Sequence, residues 1–358
     1  TVSDSSAADV VPVGGLVPLS KEGPAYIESG DHVYLKTGAM VDGTSLPFTP
    51  PSGVPSISSI FGLVSFPVAG TWRGIAKAPA GVYVAVSYGG AICYSNDGLA
   101  WERASLPSDT FSGVAYGLGR FVVFSSNAIY GSTDGVNWSR QSQSLSNPSG
   151  IAFAQNKFVI VGSGGSYVST NGTSWVKITH SISSMGAVAG NANCFIGALE
   201  SNYSKTIARS TDGYNWGTAS LPLNYFAKIV FGNGVFVAIP YASSNSEYIW
   251  FSLDGVTWTR SSVAASGFNF TDIVFGGDRF VAISCSNSSP NNSYCFYSSD
   301  GIAWTYSSNI SHNPGAYPLR LVYVSGAGGN SQFYATSYDR TGYSFYTPNG
   351  GSSWTQNP

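Results

Sequence analysis

Ser132-Thr133-Asp134-Gly135-Val136-Asn137-Trp138 decides the fold, because it returns along the chain. It reappears as Ser95-Asn96-Asp97-Gly98-Leu99-Ala100-Trp101, Ser169-Thr170-Asn171-Gly172-Thr173-Ser174-Trp175 and Ser210-Thr211-Asp212-Gly213-Tyr214-Asn215-Trp216. It returns again at Ser252 to Trp258, around Asp254, and at Ser298 to Trp304, around Asp300. A looser copy, Thr347-Pro348-Asn349-Gly350-Gly351-Ser352-Ser353-Trp354, ends the series. The tryptophans of these copies stand 37, 37, 41, 42, 46 and 50 residues apart, and they account for all but two of the nine in the chain. Self-similarity at such a period marks a repeat architecture.

A second element precedes each copy. An apolar segment runs into a Gly-rich turn and then into a segment centred on Phe-Val, as in Gly113 to Tyr116 followed by Arg120 to Phe124. Ile229 to Phe231 followed by Val235 to Ile239, and Ile273 to Phe275 followed by Arg279 to Ile283, repeat the pattern. Each repeat therefore reads as four short strands, A to D, with the tryptophan motif on the C–D turn. Four strands per 40–45 residues is about the period of a propeller blade. The predicted fold is all-β: a seven-bladed β-propeller of four-stranded antiparallel blades over residues 57–358, with an N-terminal arm over 1–56. The seventh blade is expected to own its D strand. The apolar segment Phe61 to Phe66 is expected to lie against the first or last blade, where an added edge strand would cover exposed backbone.

Local chemistry accounts for the motif. The Asp or Asn side chain can accept turn amides, Gly supplies a positive φ, and the Ser or Thr hydroxyl ties the incoming strand to the turn. Trp opens strand D and covers a wide apolar surface. Asp97, Asp134, Asn171, Asp212, Asp254, Asp300 and Asn349, with Trp101, Trp138, Trp175, Trp216, Trp258, Trp304 and Trp354, are accordingly assigned structural roles.

Composition agrees with this reading and narrows the function. Charged residues make up only 9% of the 358, aromatics reach 14%, and the net charge is −2. Phosphate neutralisation requires a basic field, so nucleic acid is excluded as a partner. No apolar run reaches membrane-spanning length, which excludes insertion by a helix. Thr1-Val2-Ser3-Asp4 carries neither an initiator Met nor a signal pattern, so a trimmed or processed start is expected. Of the four cysteines, Cys93 and Cys194 read as core thiols. Cys285 and Cys295 flank a loop, and a hairpin disulfide is weighed there against two buried free thiols. His32, His180 and His312 are scattered and read as exposed. No metal site and no cofactor is expected.

The tryptophan motif resembles the Asp-box of bacterial neuraminidases, Ser/Thr-x-Asp-x-Gly-x-x-Trp. Only the copy from Thr347 to Trp354 has that length, with Asn349 in place of Asp; the other six lack the residue between Asp and Gly. Similar shortened boxes occur in sialidase-like propellers of bacterial and viral surface proteins. The resemblance implies the fold but no particular activity. A sialidase-like site would need three arginines, a Tyr–Glu pair and an acidic Asp, opened by an early Arg-Ile-Pro segment. The first arginine past the arm is instead Arg73, in Trp72-Arg73-Gly74-Ile75. Glu200 and Glu247, in corresponding loops of blades four and five, are the best pair of carboxylates for glycoside hydrolysis. The expectation is a non-enzyme.

In residues 1–56, Gly14-Gly15-Leu16-Val17-Pro18 and Tyr34-Leu35-Lys36-Thr37-Gly38 resemble N-terminal segments of bacteriophage tail and tail-fibre proteins. The resemblance implies an anchor to other virion tail proteins and a location on the virion or cell surface. An ordinary arm packed on a blade is the alternative.

Loop lengths place the expected binding surface. In such propellers the A–B and C–D turns share one face, and here they are short. The B–C and D–A loops share the other, and they lengthen towards blades four to seven. Loops on a rigid scaffold are where binding residues concentrate. Tyr203, Tyr241, Phe268, His312 and Tyr317, with Asn245, Asn292 and Asn313 as hydrogen-bonding companions, are the candidate ligand-binding residues. The expected function is a non-enzymatic virion adhesin or tail component that binds a host cell-surface glycan or protein, with homo-oligomers among the partner expectations. A sialidase-like hydrolase and a purely structural tail or baseplate protein are the alternatives.

Overall fold

The computed structural model describes residues 26–29, 32–35, 67 and most of 71–357. Outside the description within that last span lie 99, 106–108, 183, 200–204, 222–225, 241–247, 265–267, 287–291, 307–309, 312–317, 326–330, 338–343 and 348–354. The chain divides into two compact units, 1–63 and 64–358. In the first, Tyr26–Ser29 and His32–Leu35 pair as an antiparallel hairpin. The segment from Phe61 to Phe66 falls outside the described residues.

The second unit is a β-propeller. Its sheets follow one another along the chain at 72–103, 111–144, 148–178, 185–220, 226–264, 268–311 and 318–357, numbered here first to seventh. Within each, four consecutive strands pair antiparallel in sequence order, so A, B, C and D are neighbours. The first shows the pattern: Trp72–Lys77, Tyr83–Ser87, Ile92–Ser95 and Glu102–Arg103. The seventh sheet supplies its own D strand, Thr355–Asn357, paired with Ser344–Thr347.

Among the described residues six of these sheets are four-stranded, and the sixth in order departs from the expected uniformity with five strands. Its strands A, B and C are longer, at nine, eight and seven residues. Its D strand, Thr305–Tyr306, pairs only with Phe296 and Tyr297. Strand C therefore runs on past D, and its backbone groups need partners. The returning chain supplies them: Ile310–Ser311 pairs with Asn292 and Ser293.

Apolar side chains of neighbouring sheets form the core. Val84, Val86 and Ile92 of the first sheet pack with Phe111, Phe121 and Val123 of the second. Val322, Val324 and Tyr334 of the seventh join Tyr83, Cys93 and Trp101 of the first, so the last sheet packs on the first. The Phe-Val segments are the buried B strands, which pair with A through aromatic neighbours. Phe231–Phe236 and Phe275–Phe280 have ring centroids 4.8 and 4.7 Å apart, within the favourable range. The glycine closing strand A answers a steric demand from the next sheet. A Cβ on Gly276 would lie 2.1 Å from the Tyr323 ring.

The C–D turns have the expected chemistry. In the second sheet Ser132 Oγ donates to Asp134 Oδ1 at 2.9 Å and accepts from the Gly135 amide at 2.8 Å. Asp134 Oδ1 also accepts the amides of Val136 and Asn137 at 2.9 and 2.8 Å. Asp212, Asp254, Asp300 and Asn171 repeat this arrangement. The Trp101, Trp138, Trp216 and Trp304 indoles each donate to the carbonyl of the turn glycine, at 3.0–3.2 Å. The glycine faces two demands. Gly255 sits at φ +73°, and a Cβ there would fall 2.5 Å from Ile196 Cδ1 of the preceding sheet. The turn thus also locks one sheet to the next. Asn349 and Trp354 lie outside the described residues.

Cys295 is buried and forms no disulfide. Ser293 stands opposite Cys285 in the ladder, and Ile283 opposite Cys295. One expectation needs correction. His180 is half-buried rather than exposed, with its ring 6.3 Å from that of Trp216, and burial lowers its pKa.

Candidate functional site

The motif carboxylates are committed to their turns, and their protonation shows it. Burial alone would raise Asp212, but amide and side-chain bonds from Asn215, with others from Tyr214 and Ser210, outweigh it and hold the group at about 2. Bonds from the Val256 and Thr257 amides likewise hold Asp254 at about 2 against burial. Both lie below the ordinary value of 3.8. A carboxyl depressed by folding contributes stability that is present above its unfolded value and lost as pH falls towards its folded one. Stability should therefore drop as pH falls from about 4 to about 2. Asp254→Asn, which imitates Asn171, should flatten that slope. Urea midpoints measured across this range check it; an identical slope in the variant would show that Asp254 contributes nothing.

The face carrying the D–A and B–C loops is built differently. Six of the eight candidate residues, Tyr203, Tyr241, Asn245, His312, Asn313 and Tyr317, lie outside the described residues. Phe268 and Asn292 are described in backbone only, and both belong to the sixth sheet. In the other sheets the first A–B pair precedes a bulge, as with Trp72↔Ser87, Phe111↔Ser125 and Phe226↔Pro240. The equivalent pair in the sixth is Phe270↔Ser284, and the ladder continues beyond it through Asn269↔Cys285 to Phe268↔Ser286. Two extra pairs raise this blade by about 7 Å at 3.4 Å per residue. Phe268 stands at the raised end of strand A, and Asn292 at the same end of strand C.

At the base of this rise is a polar cluster that the motif reading missed. The residue following the bulge in strand A is Gly74, Gly113, Gly150 and Ala187 in the first four sheets. In the last three it is Lys228, Asp272 and Arg320. Asp272 is only 1% exposed. It pairs with the Lys228 ammonium from the preceding sheet and accepts the Leu321 amide of the following sheet at 2.7 Å. Its other oxygen also accepts the Ile273 amide at 2.9 Å. Arg320 Nη1 donates to the Thr271 carbonyl at 3.4 Å. One buried carboxylate thus joins three inner strands. Aligning the repeats on the bulge would have exposed the change from Gly and Ala to charge.

The opposite face offers less. An open groove of about 610 Å³ lies between the A–B turns of the third and fourth sheets, bordered by Phe153, Gln155, Asn156, Asn191 and Thr211. Asn191 Oδ1 already accepts the Asn193 and Cys194 amides, both at 2.8 Å. Among the described residues no group of three His, Cys, Asp or Glu could hold a metal ion.

No family model matches the chain, and no curated protein matches it. Solved structures do. YCF48 from Cyanidioschyzon merolae is 17% identical with a TM-score of 0.59, covering 76% of this chain and 94% of that one. A streptogramin B lyase is 12% identical at 0.61, covering 78% and 94%. An ancestral GH74 enzyme is 16% identical at 0.56, covering 82% of this chain and 47% of that one. At these identities the likeness is one of fold.

Proposed function

We propose that the chain is a seven-bladed, Asp-box-like propeller that acts as a non-enzymatic recognition module, binding a host cell-surface glycan or protein through its D–A and B–C face. The observation carrying this reading is the raised sixth blade. The scaffold repeats with tight turns on one face, while on the other the sixth sheet extends its ladder and recruits a fifth strand. Ordering extra chain costs entropy that ring closure does not require. The adhesin role on a virion rests further on the resemblance of residues 1–56 to tail proteins. Solved structures of this fold include a lyase and a GH74 enzyme as well as YCF48, so chemistry has to be argued from the site. Among the described residues, the motif aspartates are spent on turn amides and Asp272 on Lys228 and Leu321. None of these is poised as one of the paired carboxylates that glycoside hydrolysis uses.

Tyr241, Phe268 and Tyr317 replaced together by Ala should abolish adsorption of the protein to host cells, and its signal on a glycan array, while the melting temperature stays close to wild type. Aromatic anchors usually dominate such contacts. Full adsorption by the folded triple variant would remove this face as the recognition surface. Release of new reducing ends from a bound glycan would overturn the non-enzymatic reading.

A further inference from the structure

We infer that Lys228, Asp272 and Arg320 form an anion-binding site at the inner edge of this face, taking a singly charged group of the ligand, a carboxylate or a sulfate ester. The inference deepens the recognition reading and rests on it. Three observations carry it. The first is position: the three residues occupy one structural slot on successive inner strands, directly below the raised end of the sixth blade. The second is that ring closure does not need them. Gly74, Gly113, Gly150 and Ala187 fill the same slot elsewhere, and there the inner strands approach so closely that a Cβ on Gly150 would lie 3.1 Å from the Ala187 Cα. A buried ion pair is often no more stabilising than well-packed apolar residues, so packing alone gives no reason for charge in this slot.

The third is the balance of charge and donors. Asp272 is almost fully buried and saturated, with Lys228 and two backbone amides bound to its oxygens. It therefore positions the cluster rather than contacting ligand. Lys228 is 32% exposed and spends one donor on Asp272, which leaves two of the three an ammonium carries. Arg320 spends one bond, on the Thr271 carbonyl, so most of its guanidinium fork remains available. Two cations against one anion leave an excess of a single positive charge. That excess, presented by a point charge and a planar fork on the two inner strands that flank Asp272, suits one oxyanion.

Acetate and methyl sulfate, titrated separately against the full chain, test the site and separate the two ligand chemistries. The Leu321 amide, which donates to Asp272, serves as the reporter in heteronuclear NMR. A saturable shift of that resonance by at least one anion is expected, with glycerol producing none. Arg320→Gln should weaken the anion about tenfold, the scale of one lost charge-assisted bond. Asp272→Asn keeps one of the two acceptor oxygens and removes the negative charge, so it should strengthen binding. Lys228→Arg preserves the charge and should bind within a few-fold of wild type. No saturable shift, or a shift untouched by Arg320→Gln in a folded protein, would overturn the site. Either result combined with lost adsorption in the triple aromatic variant would leave the recognition face standing.

Discussion

Asp272→Ala is expected to destabilise the propeller by about 3 kcal/mol, at the lower end of the cost of breaking a buried ion pair. Three groups lose an acceptor: the buried Leu321 and Ile273 amides and the part-exposed Lys228 ammonium. The Leu321 amide, on a residue 4% exposed, has its 2.7 Å bond to Asp272 and would be left unsatisfied. Lys228 loses its carboxylate, but its 32% exposure lets water replace part of the interaction, which keeps the figure from the top of the range. Because Asp272 links the fifth, sixth and seventh sheets, its loss should speed unfolding where the inner strands meet. Asp272→Asn retains an acceptor for Leu321 and should cost only about 1–2 kcal/mol. Urea denaturation of both variants measures the difference. A loss below about 1 kcal/mol in Asp272→Ala would mean that the inner strands hold together without this carboxylate.

What the sequence disclosed follows the range of the interactions involved. The turn motif was legible because all its bonds are local: Ser298, Asp300, Gly301 and Trp304 satisfy one another within seven residues. The A and B strands were legible because Phe275 and Phe280 are close in sequence and face each other across a tight turn. The fifth strand of the sixth blade was not. Ile310 and Ser311 carry no alternation to read, and they pair with residues 17 to 19 positions away only because strand C outruns strand D. The site was legible in part. Loop length singled out Phe268 and Asn292, which the structure places on the raised sixth sheet, but a pattern of aromatics and amides does not include Lys228, Asp272 and Arg320. Their partners belong to neighbouring sheets 44 and 49 residues away, so no local pattern joins them. The tryptophans show the same limit. One motif puts each at the start of strand D, yet Trp101, Trp258 and Trp304 are buried while Trp138, Trp175 and Trp216 are half-buried, because the neighbouring sheet decides the cover.

That difference in cover sets the remaining expectation. Trp304→Ala should cost about 3–5 kcal/mol, the usual loss for a buried tryptophan. The indole is 7% exposed, packs 6.3 Å from Phe280 and donates to the Gly301 carbonyl at 3.0 Å. Its backbone amide also receives the Ser262 hydroxyl of the preceding sheet as acceptor, at 3.3 Å, so the residue sits on a junction between blades. Trp175 occupies the same slot but is half-buried, and its indole N–H has no partner among the described residues. Trp175→Ala removes less apolar cover and no indole bond, and should cost about 1–2 kcal/mol. Asn171→Ala, which strips the acceptor from the Thr173 and Ser174 amides, should fall in the same range of about 1–2 kcal/mol. Denaturation midpoints rank the three, and adsorption measured on folded protein should be unchanged in all of them. If Trp175→Ala proved as costly as Trp304→Ala, burial by the neighbouring sheet would not be what the motif tryptophan contributes. If Asn171→Ala lost adsorption at an unchanged melting temperature, the turn would be part of the recognition surface rather than the hinge pin of a blade.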